Sequence, residues 1–186
     1  SMVVHSPSAR LNVVPRVVQE GTVPLIAVEG TAYECGQQYA EIVMEKYPNY
    51  RRYLDPAYSW RSLPTDVKRL FETHAAHILD VFRGLTDIAG PPQRPADISA
   101  KTACTSFGVS GAVTLDGQPI SGQTKDTEVR SALLYVVLRM RIKDAPTILT
   151  LCYPGEVLGY GLWSTGMSIF RNSLYSSAES EKGLSM

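Results

Sequence analysis

The chain has 186 residues, with 18 Lys+Arg against 18 Asp+Glu and a formal net charge of zero. That balance gives no electrostatic ground for a nucleic acid or an anionic membrane as partner. A composition of 44% hydrophobic and 19% charged residues excludes wholesale disorder and supports a packed core.

No apolar run reaches the roughly 18 residues that a spanning helix needs, so no membrane span is expected. The opening stretch Ser1-Met2-Val3-Val4-His5-Ser6 has neither a basic flank nor a long apolar segment. It therefore shows no signal peptide, and Ser1 reads as a tag scar. The three cysteines, Cys35, Cys104 and Cys152, are odd in number and include no C-x-x-C pair. This argues against a disulfide framework or a structural zinc site and predicts the cytoplasm or another reducing intracellular compartment.

In chain order, an extended piece is predicted over Val23–Val28, ending at Glu29-Gly30. Thr31-Ala32-Tyr33-Glu34 then has the form of a capping box, with Thr31 and Glu34 each bonding the other's backbone amide. A helix follows over 31–46, and Pro48 ends or bends it. A second helix is predicted over 65–89, because Val67, Leu70, Phe71, Ala75, Ile78, Val81, Phe82, Leu85 and Ile88 recur in steps of three and four. Gly90-Pro91-Pro92 stops it. The aromatic and basic residues Tyr47, Tyr50, Arg51, Arg52 and Tyr53 read as a helix-end face packed on a neighbouring layer. Residues 91–101 read as an exposed connector, and 176–186 as a frayed tail.

From residue 104 the texture changes to strands and turns, predicting an antiparallel β-meander over 104–174. Its strands are expected at Cys104–Val113, Ile120–Thr124, Leu133–Ile142, Ile148–Tyr153, Val157–Trp163 and Met167–Leu174. Turns fall at Leu115-Asp116-Gly117-Gln118, Lys143-Asp144-Ala145-Pro146 and Ser164-Thr165-Gly166. The fold class is therefore α+β.

Cys104 has the most suggestive setting, since it opens the first strand of the β-rich half. A thiol there can attack the carbonyl of Ala103 and cut its own peptide bond. That would free an α-amine with a reference pKa of about 7.7–8.0, suited to a general base. The same residue also fits a small buried hydrophobe. His74 and His77, three apart on the second helix, read as surface or boundary histidines and alternatively as partners of Cys104. Lys125 would either set a cation near the thiolate or project to solvent.

Three ordered segments carry a resemblance to a known family. The first is Glu29-Gly30-Thr31-Ala32-Tyr33-Glu34-Cys35-Gly36-Gln37-Gln38, with a G-x-x-x-E-x-G-x-Q pattern. The second is Cys104-Thr105-Ser106-Phe107, followed by Asp116-Gly117 and Ser121-Gly122-Gln123-Thr124-Lys125-Asp126. The third runs from Val137-Leu138-Arg139 through Asp144-Ala145-Pro146 to Gly161-Leu162-Trp163-Ser164-Thr165-Gly166 and Asn172. In these features the chain resembles the acyl-coenzyme A:6-aminopenicillanic acid (isopenicillin N) acyltransferase-like family of N-terminal nucleophile (Ntn) hydrolases. It departs from that pattern in having Ala103 where glycine is usual, Thr124-Lys125 in place of Asn-Trp, and Trp163 at a position usually filled by asparagine.

The resemblance implies an αββα four-layer Ntn-hydrolase sandwich, of which this chain would be the N-terminal portion. Residues 1–103 would form the helical propeptide or α-subunit-like segment. Residues 104–186 would begin the nucleophile-bearing β-subunit, both being parts of one incomplete domain. The implied activity is that of an autoprocessing cysteine hydrolase or acyltransferase acting on amide or thioester bonds, cleaved between Ala103 and Cys104. Cys104 would be the nucleophile, Asp126 the partner of its amine, and Asn172 the oxyanion donor. No metal or organic cofactor is implied, although acyl-coenzyme A fits as a co-substrate. The implied partners are a small amide or acyl substrate and the remainder of the polypeptide, or a second chain, to complete the sandwich. The rival readings are a Cys–His hydrolase without self-cleavage and an inactive relative or fragment serving as a binding or structural module.

Overall fold

The computed structural model describes residues 23–54, 64–90, 103–126, 135–157 and 160–172. The first strand, β1, spans Leu25–Gly30, and helix α1 spans Ala32–Lys46. Thr31 caps the helix as its sequence predicts. Its hydroxyl accepts the Glu34 amide at 3.2 Å, and the Glu34 carboxylate accepts the Thr31 amide at 2.8 Å. A 3-10 turn over Pro48–Leu54 follows, and its Tyr50 meets Tyr47, the residue that ends α1, edge-on, both packing against the core. The Arg51 guanidinium donates to the Ala89 carbonyl, tying this turn to the end of the following helical segment, while the side chains of Arg52 and Tyr53 lie outside the described ones.

The helix expected over 65–89 is two helices, α2 (Thr65–His74) and α3 (Ala76–Ala89), broken at Ala75, whose φ and ψ are −153° and 46°. The apolar periodicity is intact across the break, and neither glycine nor proline lies there. Packing accounts for it. In one straight helix Phe71 and Phe82 would stand about 16 Å apart along the axis. The break folds α2 back, so that their rings meet edge-to-face at 5.9 Å.

The two long helices, α1 and α3, cross at glycines. A Cβ on Gly36 would lie 2.2 Å from the Val81 carbonyl oxygen, and one on Gly84 would lie 2.1 Å from that of Tyr33. Only hydrogen side chains allow the backbones to approach this closely. Tyr33 reinforces the crossing by donating its hydroxyl to Asp87 at 2.9 Å.

The remaining strands are β2 (Ala103–Val109), β3 (Ile120–Asp126), β4 (Val136–Ile142), β5 (Ile148–Cys152), β6 (Tyr160–Trp163) and β7 (Ser168–Ile169). They correct the predicted single meander over 104–174. One sheet has the order β1-β4-β5-β6-β7, and β2-β3 form a second, two-stranded sheet. Within the first sheet β1 is parallel to β4 and the other pairings are antiparallel. The predicted strand to Val113 ends at Val109, and Gly111–Val113 form a 3-10 turn. The Asp116 side chain accepts the Gln118 amide at 3.0 Å, which closes the turn expected there. Asp144 takes a positive φ of 61° in the turn between β4 and β5.

Strand β4 alternates strictly, with Val136, Leu138, Met140 and Ile142 buried and the residues between them half-buried. That buried row joins Ile26 and Val28 of β1 in a core shared with α1 and α3. Each such side chain contributes about 1.5–3 kcal/mol by leaving water. The opposite face carries Leu25, Leu149, Leu151 and Leu162, all exposed. Ser168 pairs with Leu162 and so stands on this second face. Its hydroxyl meets that of Ser121 on β3 at 2.8 Å. The fold is thus mixed α+β, with helices on one side of the five-stranded sheet and the β2-β3 hairpin touching its other side.

Candidate functional site

Register fixes the heart of the candidate site. In the β2-β3 hairpin Ala103 pairs with Asp126, Cys104 with Lys125, Thr105 with Thr124, and Ser106 with Gln123. Residues directly opposite share a face, and alternate residues along a strand share it too. Cys104, Ser106 and Gln123 therefore belong to one face of the hairpin. Asp126 stands one register position beyond Cys104, across from Ala103 at the open end of the hairpin. The predicted scissile bond, Ala103–Cys104, lies inside the paired strand, because β2 already begins at Ala103.

Asn172, which follows β7, is drawn onto the same face. Ser106 Oγ donates to Asn172 Oδ1 at 3.0 Å, across 66 residues of sequence. Gln123 Nε2 donates to the same oxygen at 2.6 Å and to the Arg171 carbonyl at 2.7 Å. Asn172 thus bridges a cross-strand pair, Ser106–Gln123, two register steps from the pair that contains Cys104 and on the same face. Ser106 and Cys104 are two positions apart on one strand, a spacing of about 7 Å. The Asn172 side chain is exposed, while Gln123 Oε1 is buried without a hydrogen-bond partner among the described residues.

The three cysteines are all free, but their settings differ. Cys104 is part-exposed, whereas Cys35 and Cys152 are 0% and 1% exposed. Burial pushes the Cys35 thiol up to about 11, helped by the negative charges of Glu34 and Glu29. Burial likewise raises Cys152 to about 12. Those two thiols are packing groups at neutral pH. Cys104 is the thiol open to a reactant.

The G-x-x-x-E-x-G-x-Q segment has a structural account at every marked position. Gly30 turns the chain with a φ of 144°, Glu34 completes the cap, and Gly36 admits α3. Gln38 clamps the end of β1, donating to the Glu29 carbonyl at 2.8 Å and accepting the Glu29 amide at 3.2 Å. This segment builds the junction of strand and helix rather than contributing reactive groups.

His74 and His77 are exposed on α2 and α3. Those helices belong to the layer across the five-stranded sheet from the hairpin. Among the described residues no group of three or more His, Cys, Asp or Glu side chains is arranged to hold a metal ion. No helix among them is long and apolar enough to cross a membrane. The predicted connector over 91–101 and the tail over 176–186 lie outside the described residues.

Ser106 and Gln123 fall within the segments that carry the resemblance, which assigns neither a role. The signal was present in the hairpin's alternation. Alternation sets Ser106 on the Cys104 face, but the 3-10 turn at Gly111–Val113 shifts the register, so the Asp116-Gly117 turn does not by itself pair Ser106 with Gln123. What no local pattern supplied was the residue that joins them, Asn172. No protein-family model matches the chain, and no curated protein matches it.

Proposed function

We propose that the chain is the catalytic N-terminal cysteine module of an autoprocessing amidohydrolase or acyltransferase, built as part of an Ntn-type sandwich. The observation that carries this reading is the attachment of Asn172 to the Ser106–Gln123 pair beside Cys104. A thiol and a side-chain amide, 68 residues apart in sequence, are thereby set on one face of one hairpin. The layering of helices, five-stranded sheet and hairpin also supports it. So do Phe107 and Ile120, 54% and 52% exposed on the hairpin's outer face, where the sandwich has its further helix layer.

In this reading Cys104 Sγ attacks the Ala103 carbonyl carbon, and the acyl group passes from nitrogen to sulfur. Water then hydrolyses the thioester, releasing a carboxylate at Ala103 and an α-amine on Cys104. That amine is joined to the thiol through two carbons, so it serves as general base without a separate histidine. It takes the thiol proton as sulfur attacks the substrate carbonyl, and returns a proton to the leaving amine. The position of Asp126, across from Ala103, suits a carboxylate that holds the new ammonium. The Asn172 amide donates to the oxyanion, an effect worth about 3 kcal/mol where one such donor has been removed. The acyl group on Cys104 passes to water or to an amine acceptor, with a small amide, a thioester or acyl-coenzyme A as donor.

Intact-mass measurement and N-terminal sequencing of the full protein test this. Wild type should yield a chain that begins at Cys104, and Cys104→Ala should remain whole. A wild-type chain that stays uncut and also fails to acylate with an activated ester sinks the reading.

A further inference from the structure

We infer that Gln123 is a positioning residue that sets which end of the Asn172 amide faces the reacting carbonyl. This rests on the reading of Cys104 as nucleophile. The argument is one of hydrogen-bond polarity. An asparagine side chain has an oxygen that only accepts and a nitrogen that only donates, and its two orientations have the same shape. An amide used to hold an oxyanion must present nitrogen; the flipped amide would present oxygen and repel the developing charge.

A chain of fixed polarities sets the choice here. The Arg171 backbone carbonyl can only accept, so the Gln123 group 2.7 Å from it must be Nε2. Nε2 carries two hydrogens, and its second goes to Asn172 at 2.6 Å. The Asn172 atom in that contact must therefore be Oδ1. Ser106 donates its hydroxyl to the same oxygen at 3.0 Å. With both donors on Oδ1, the Asn172 Nδ2 is directed away from the Ser106–Gln123 pair. Gln123 keeps this orientation although its own Oε1 is buried and unpartnered among the described residues. Turning Gln123 over would set that oxygen against the Arg171 carbonyl and Asn172 Oδ1.

The test separates acylation from alkylation. Acylation of Cys104 by p-nitrophenyl acetate passes through a tetrahedral oxyanion, whereas alkylation by iodoacetamide displaces iodide and forms none. Rates are measured on the full protein, referred to the fraction of chains that begin at Cys104. Wild type should acylate faster than N-acetylcysteine at the same pH. Asn172→Ala should slow acylation about 100-fold. Gln123→Glu, which offers only acceptors and draws the Asn172 Nδ2 toward itself, should approach that loss. Gln123→Met, which removes the donors without inverting them, should lose about 10-fold, on the scale of one lost positioning contact. All three should alkylate within about twofold of wild type, and Gln123→Glu combined with Asn172→Ala should be no slower than Asn172→Ala alone.

Acylation unchanged in both Gln123 variants, or alkylation falling in parallel with acylation, overturns the role of Gln123 while Cys104 stands. Acylation of wild type no faster than N-acetylcysteine overturns the nucleophile and the positioning role together. Should the Gln123 variants melt early, Ser106→Ala decides. It removes the other donor to Oδ1 and should slow acylation about 3-fold with alkylation unchanged, an intermediate loss on the same scale. Equal rates for Ser106→Ala and wild type overturn the proposal.

Discussion

Gly36 and Gly84 face one another across the crossing of α1 and α3, each against the other helix's backbone, at 2.2 and 2.1 Å for an added Cβ. Atoms this close cannot be accommodated by turning a side chain, because the obstructing groups are main-chain carbonyls. Gly36→Ala and Gly84→Ala should each destabilise by about 2–3 kcal/mol, the overpacking cost exceeding the helix-propensity gain. Urea denaturation checks this. Gly108→Ala, where nothing lies within 4 Å of an added Cβ, is the control and should change little.

The cap on α1 predicts a pH dependence. Hydrogen bonds from the Thr31 amide and hydroxyl hold the Glu34 carboxyl below its ordinary value of 4.5. The folded chain therefore binds that proton less readily than the unfolded chain. The resulting stabilisation is present above about pH 4.5 and is lost as pH falls through the lowered value. Thr31→Ala should cost about 1 kcal/mol at neutral pH. Melting curves from pH 7 to pH 3 should show a shallower acid dependence in that variant than in wild type.

Two buried hydroxyls should respond in opposite ways. Tyr39 is wholly buried; its hydroxyl accepts the Gly155 amide at 2.8 Å and donates to the Glu156 carbonyl at 2.9 Å. Tyr39→Phe strands both groups and should cost about 1–3 kcal/mol. Thr150 is 4% exposed, and its Oγ1 has no partner among the described residues. Thr150→Val keeps the shape and removes the stranded polar atom, so it should be neutral or stabilising by about 1 kcal/mol. Thermal denaturation of the two variants measures both signs.

Thiol labelling should be selective. Cys35 and Cys152 are raised to about 11 and about 12 by burial, whereas Cys104 is part-exposed. At pH 7.5 iodoacetamide should alkylate Cys104 in the native protein, while Cys35 and Cys152 react only after unfolding. Peptide mapping by mass spectrometry after timed quenching checks the order. Cys35 or Cys152 labelling as fast as Cys104 would contradict it.

Local chemistry made part of this structure legible in advance. The Thr31–Glu34 cap, the start and end of α1, and the β2-β3 hairpin follow from contacts among residues a few positions apart, or from alternation along a strand. The break at Ala75 did not, because His74, Ala75 and Ala76 are ordinary helix residues and the cause is the distant ring of Phe82. The division of the expected meander into two sheets is hidden from the sequence for a similar reason. Alternation marks a strand and its faces, but it does not say which strand pairs with which. Nothing in Leu25–Gly30 announces a parallel pairing with Val137–Ile142, and nothing in 104–126 announces a separate sheet.

The sequence by itself determined a neutral α+β chain, its capped first helix, and the place of Cys104 at the opening of the β-rich half. The zero net charge and the odd cysteine count limited its chemistry, but they said nothing of geometry. Tertiary structure alone decided that Asn172 should bridge Ser106 and Gln123, and that Cys35 and Cys152 should be buried while Cys104 is accessible. The physical reason is range. Caps, turns and strand faces are set by energies acting over a few residues, whereas a hydrogen bond across 66 residues exists only after two sheets have been brought together by burying apolar surface elsewhere.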